Sequence, residues 1–315
     1  MRSESGGAVT APVSGLETVE LPEMPSLSRL YVAAARDAAR KLVGRASARV
    51  SLPRARHHVA GVRPDLVKMT EYQTLLGETK RDVAPAGYVH TLAFPAAMSV
   101  MGREDFPLPL LGMVHLRNSV EYLLPIRYDD LLEVWAWAEN LAGHRAGTQV
   151  ELVVEVRHAG NDDVAWRGTS TYLAKGVYLP GVDKPGLNGQ RDEFSPPAPT
   201  ALWRLASETG REYAAVSGDF NPIHLSSISA RALGMRRSIA HGMYTASRAL
   251  AEVGPQKGDT FTWDVAFEAP VFLPARVCLS ITDIADDDGT WARSEFVGWN
   301  ASSGRRHFRG TIARL

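Results

Sequence analysis

A single cysteine, Cys278, leaves no partner for an intrachain disulfide and no set of thiolates for a metal cluster. Such scarcity suits a reducing compartment, and the expected location is the cytoplasm. No apolar run reaches the roughly 18–20 residues that a membrane helix requires. Neither sign of charge is in excess, with 35 basic and 35 acidic residues, so composition argues against nucleic acid as the partner. The opening MRSESGGAVTAPVSG has Arg2 but no continuous apolar segment behind it, and residues 1–25 read as a disordered leader rather than a signal peptide. The histidines outside the motif described below show no metal-ligand spacing, so neither a metal nor a bound cofactor is expected.

What is present is ordinary globular material. With 45% hydrophobic and 22% charged residues over 315 positions, there is enough chain for two domains or one double unit. Short matches recur in the same order in the two halves. Glu71-Tyr72 and Gly77 match Glu212-Tyr213 and Gly218 at an offset of 141. Val120–Ile126 matches Val265–Val271 at 145, and Trp166-Arg-Gly-Thr matches Phe308-Arg-Gly-Thr at 142. Between them, Tyr88–Phe94 falls opposite Ile239–Thr245 at 151, which places ten extra residues in the second half and sets Thr91 opposite Gly242. The chain therefore reads as a tandem duplication: one unit over 26–178, a Pro- and Gly-rich linker over 179–200, and a second unit over 201–315. Amphipathic periodicity predicts a helix over Ser28–Ala46. A central helix is expected over Leu92–Met101, bent near Pro95. Strands are expected over Leu131–Ala138, Gln149–Arg157 and Ala165–Ala174. The second unit should run as a helix over Leu202–Val216, a short helix near Ser229, a central helix over Met243–Val253, and strands from Phe261. His57-His58, among Arg54, Arg56 and Arg63, reads as a solvated surface pair; Arg236-Arg237 and Arg305-Arg306 read as solvated faces, with contact to CoA or carrier phosphates as the alternative.

The chemistry concentrates in Ser217-Gly-Asp-Phe-Asn-Pro-Ile-His224 and Ile239-Ala-His-Gly-Met243. Asp219 lies five positions before His224, with the turn-forming Asn221-Pro222 between them, so one rigid loop can aim a carboxylate and an imidazole at one point. Gly242 opens a helix, where a backbone N–H can approach a ligand oxygen closely. These parts can add water to a carbonyl-activated double bond or remove it. Asp219, His224 and Gly242 are the candidate catalytic positions. Ser217, Asn221, His241 and Met243 are the candidate substrate-binding positions. Ser217 also reads as a turn or cap residue, and His241 as a packing or hydrogen-bonding group at the helix start. The first half has no histidine between Gly77 and His90, and its remaining work is structural, with accommodation of the substrate.

The two blocks resemble the MaoC-like hydratases, which include (R)-specific enoyl-CoA hydratases and 3-hydroxyacyl-thioester dehydratases. The resemblance is carried by Ser217, Gly218, Asp219, Asn221, Pro222, His224 and Ile239 to Met243, and it is closest over about 200–315. It departs from the pattern at Ser226-Ser227, where many members have Asp, and at Leu250, where some have Ser. The resemblance implies an α+β fold, a tandem or double hot dog with an antiparallel sheet wrapped around a central helix in each unit. It also implies a hydro-lyase of fatty-acid metabolism, acting on a trans-2-enoyl or (3R)-3-hydroxyacyl thioester of CoA or acyl carrier protein. The alternatives are a hot-dog thioesterase and a non-catalytic acyl-thioester-binding protein. A double unit leaves both monomer and homodimer open.

Overall fold

The computed structural model describes residues 15–43, 50–182 and 193–315. Most of the expected leader, and the middle of the expected linker, lie outside these residues. The leader nevertheless contains a strand, β1 (Glu17–Leu21), paired in parallel with β2 (Ala55–Val62). Helix α1 (Leu27–Val43) follows it, close to the span its periodicity predicts.

Two units of the same plan come next. In the first, α2 (Leu66–Leu76) and α3 (Ala86–Met101) precede β3 (Met113–Tyr122), β4 (Leu132–His144), β5 (Gly147–His158) and β6 (Val164–Lys175). In the second, β7 (Ala201–Leu205), α4 (Thr209–Ser217), α5 (Pro222–Leu225), α6 (Ser227–Ala232) and α7 (Gly242–Val253) precede β8 (Phe261–Phe267), β9 (Ala275–Ala285), β10 (Trp291–Asn300) and β11 (Arg306–Arg314). The strands form one sheet in the order β1-β2-β4-β5-β6-β3-β8-β11-β10-β9-β7, antiparallel throughout except for β1–β2. The order reads the same from β2 as from β7 toward the centre, where β3 and β8 pair. Ser119 faces Asp264 there, 145 positions apart, so the repeat offset of this strand becomes a local two-fold axis. This is the tandem hot dog, with α3 and α7 as the wrapped helices.

Both helix pairs obey the repeat. Asp65 caps α2 by accepting from the N–H groups of Val67 and Lys68, at 2.9 and 3.1 Å, a contribution of about 1 kcal/mol. Gly77 and Gly218 end α2 and α4 at φ 72° and 74°, the left-handed conformation that favours glycine at a helix end. Tyr72 and Tyr213, a matched pair in sequence, meet near the centre with ring centroids 6.1 Å apart. Each also packs edge-on against a tyrosine of its own central helix, Tyr88 and Tyr244.

Several sequence expectations change. α3 starts at Ala86, six residues early, and runs unbroken through Pro95. An interior proline costs about 3 kcal/mol, but thirteen of the sixteen residues of α3 are buried, and packing holds the helix together. Ala201–Leu205 is a strand rather than the start of a helix, because Trp203 and Leu205 turn inward while Leu202 and Arg204 face out, a period of two. His57 and His58 are buried, not solvated: His57 Nδ1 lies 2.7 Å from Ser99 Oγ, and His58 stacks on Trp135 and meets Glu20. The aligned segments shift as well. Ala84 N–H donates to Ile126 O where Ala240 N–H donates to Val271 O, and the bridge Val83–Arg127 repeats as Ile239–Phe272. The offset before the central helices is therefore 156, not 151. Ala86, not Thr91, stands where Gly242 stands, and Pro85 where His241 stands. The second unit holds fifteen more residues between Gly218 and His241 than the first holds between Gly77 and Pro85, and they carry α5 and α6.

Candidate active site

The site forms where the loop after α4 meets the start of α7. Ser217 closes the loop's first turn, its Oγ accepting from the Asp219 N–H at 3.3 Å. Asn221 caps α5, its side chain accepting from the Ile223 N–H at 3.3 Å. Pro222 at the first turn of α5 presets the backbone. Both residues thus shape the loop. Gly210, which the sequence reading passed over, lets α4 lie against α5: a Cβ there would sit 2.1 Å from the His224 carbonyl oxygen.

His224 is buried, and its Nδ1 lies 2.9 Å from the Ile239 carbonyl. A carbonyl can only accept, so Nδ1 carries the hydrogen and Nε2 is left as the basic lone pair. His241 stacks on His224 with centroids 3.6 Å apart, and its Nε2–H donates to the Asp219 carbonyl at 2.9 Å. Nδ1 of His241 is a buried acceptor without a partner among the described residues. Burial, with His241 beside it, pushes the His224 imidazolium down to about 3, and burial also lowers His241. Both rings are therefore neutral at neutral pH, as two imidazoles stacked so closely require.

Asp219 is partly buried, and its Oδ1 accepts from the Asn221 N–H at 3.2 Å. The same oxygen accepts the phenol O–H of Tyr31, on α1, at 2.9 Å. A carboxylate oxygen of Asp219 and one ring nitrogen each of His224 and His241 lie within 4.8 Å of one another. Sequence spacing gave no metal site, yet these three groups could hold an ion. The chain's own contacts occupy one nitrogen of each ring.

Gly242 is the first residue of α7, and no side chain caps that helix. Its φ needs no glycine. Close packing does, because a Cβ would meet the Phe267 ring at 3.0–3.3 Å. Met243, the next residue of α7, is buried in the core cluster. Leu250, Tyr244 and Val253 are core residues. The first unit reaches the site through Tyr172 on β6, whose phenol is held above the usual range by burial and by the charge of Asp219. Tyr172 and His90 also line a narrow cavity inside the first unit, walled by Phe94, Leu152, Val154 and Trp166. Tyr31 and Tyr172 had no sequence signal, since neither lies near the motif.

The MaoC like domain matches residues 186–298. The 3-hydroxyacyl-thioester dehydratase X of Mycobacterium tuberculosis is 35% identical over 252 residues, covering 80% of this chain and 86% of that protein. The crystal structure of HtdX from the same organism superposes with a TM-score of 0.70 at 32% identity, covering 82% of this chain and 100% of that one. A further Mycobacterium tuberculosis protein, described as a double hot dog, shares the fold at a TM-score of 0.51 and 16% identity, covering 81% of this chain and 94% of that one. With the carboxylate, the imidazole and the uncapped helix in the places the motif assigns them, and with this degree of identity over most of both chains, the protein belongs to the family of MaoC-like dehydratases.

Proposed function

We propose that the protein adds water reversibly to trans-2-enoyl thioesters, forming (3R)-3-hydroxyacyl thioesters carried on CoA or acyl carrier protein. The observation that carries this reading is the approach of Asp219 and His224 to within 4.8 Å. One water making two hydrogen bonds of about 2.8 Å spans such a gap. In hydration, His224 Nε2 takes a proton from that water as its oxygen bonds to C3 of the acyl chain. The Asp219 carboxylate accepts the other hydrogen and orients the attack. The electron pair of the double bond moves toward the thioester, whose oxygen receives the Gly242 N–H at the positive end of α7. The proton then passes to C2. Dehydration runs the same steps backward. A neutral His224 with its lone pair on Nε2 is the protonation state this base needs. The names of the relatives support the thioester class.

The test is a hydration assay with crotonyl-CoA and dodecenoyl-CoA, following loss of the conjugated enoyl thioester, with free thiol measured in parallel and a chelator arm. Hydration without thiol release, unchanged by chelation, is expected. Thiol release would indicate a thioesterase, and no reaction on CoA or carrier-protein substrates would indicate a binding protein. Loss of activity on chelation would move the chemistry to a metal held by Asp219, His224 and His241.

A further inference from the structure

Helix α1 has no counterpart in the second unit and lies outside the segment that matches the family domain. It nonetheless delivers a phenol to the candidate catalytic carboxylate across 188 positions of sequence, the Tyr31 O–H donating to Asp219 Oδ1 at 2.9 Å. That oxygen already accepts the Asn221 N–H. Oδ1 is thus held by two donors, which leaves Oδ2 to the space shared with the histidines. The nearest competitor for Oδ2 is His241 Nε2, 3.8 Å away and already donating to the Asp219 main-chain carbonyl. An aspartate carboxylate turns about its last bond with little preference between broad wells. Held only by the Asn221 N–H, it would be free to rotate toward His241 and away from the water position.

We propose that Tyr31 is a positioning residue of this active site, fixing the Asp219 carboxylate so that one oxygen faces the water shared with His224. The proposal rests on the hydratase reading of that site. The first unit has no counterpart: Glu78, at the place of Asp219, is paired with Lys257 at 3.9 Å instead. Tyr31 contributes no atom to the reaction. Its effect passes through Asp219, and so it should vanish when Asp219 cannot act.

Tyr31→Phe keeps the ring and deletes the donor. Turnover is expected to fall about 10- to 100-fold, the range for losing a hydrogen bond to a charged group, with KM for the enoyl thioester within about twofold. The decisive arm is a double-mutant cycle. In the Asp219→Asn background, Tyr31→Phe should change the residual rate by less than about twofold, because two residues acting as one unit are not additive. Thermal unfolding, near-ultraviolet circular dichroism and a urea titration check that each variant is folded. A turnover within twofold of wild type, a rise in KM with unchanged turnover, full additivity with Asp219→Asn, or loss of folded structure in Tyr31→Phe would each assign Tyr31 to the packing of α1 and overturn the proposal. An inactive wild type would instead remove the hydratase reading, and this inference with it; an active wild type with an indifferent Tyr31→Phe removes only this inference.

Discussion

The two units of this chain share strands, central helix and capping glycines, and they part company over fifteen residues. In the second unit those residues form α5 and α6, which carry His224 and bring it beside His241 and Asp219. The first unit runs straight from Gly77 to Pro85 and has Glu78 where Asp219 would be. Glu78 is nearly buried, with burial raising its carboxyl above the usual range and Lys257 drawing it back. Lys257, from the second unit, is lowered by the same burial. The place of the catalytic loop has become a carboxylate–ammonium contact between units, which lacks an imidazole to act as base. A fold can thus keep its framework while one of two related sites loses its chemistry, because the framework depends on the sheet and central helix and the chemistry on one inserted loop.

The sharpest test of that contrast neutralises the two carboxylates in turn. Asp219→Asn and His224→Gln are each expected to lower turnover by about 10²–10⁴-fold, the range for lost acid–base assistance. Glu78→Gln should leave turnover within about twofold of wild type, since only groups acting on the transition state enter the rate. Steady-state kinetics on purified, folded variants decides the matter, and a comparable loss in Glu78→Gln would mean that both units work.

A second contrast sets Gly242 against Ala86, its counterpart. Gly242→Ala forces the Phe267 ring to shift, since the added carbon would lie 3.0 Å from it. The displaced helix start should lose part of its hold on the thioester oxygen, lowering turnover about 10- to 100-fold, somewhat less than deletion of an oxyanion donor. Ala86→Gly is expected to cost about 0.5–1 kcal/mol of stability and to leave turnover alone. Equal kinetic effects at the two positions would overturn the assignment of the donor to α7.

The smallest effect concerns acid stability and involves both units. His90 in the first unit and His224 in the second are buried and His115 is half-buried, and loss of hydration lowers His90, His115 and His224 to about 4, 3 and 3, so all three are neutral at neutral pH. The unfolded chain binds protons at these histidines near pH 6.5, and the folded chain does not. Stability from these groups is therefore complete above pH 6.5 and falls as pH drops below it, by up to about 1.4 kcal/mol per pH unit for each histidine. Urea unfolding at pH 7.5, 6.5 and 5.5 measures it, and a flat profile below pH 6.5 would show that the histidines are reachable by protons in the folded state.

Asp219 and His224 were legible in the sequence because local chemistry fixes them: Gly218 turns the chain, Asn221 and Pro222 set the loop, and four residues separate the two candidate groups. The start of α7 was legible for the same reason. The strand Ala201–Leu205 was not, because the alternation of Trp203 and Leu205 is too short to outweigh the helical pattern of α4 that follows it. The match between Tyr88 and Ile239 misled by five residues, since similar short strings align without regard to the hydrogen bonds that place them.

By itself, then, the sequence determined the duplication, the family resemblance and the loop that bears Asp219 and His224, since each of these is set by residues close together in the chain. Tertiary structure alone decided that Tyr31 reaches Asp219, that Tyr172 of the first unit feels the charge of Asp219 in the second, and that His57 and His58 are buried. Those outcomes depend on which surfaces the central helices and the continuous sheet press together, and contacts between residues far apart in the chain leave no local pattern to read.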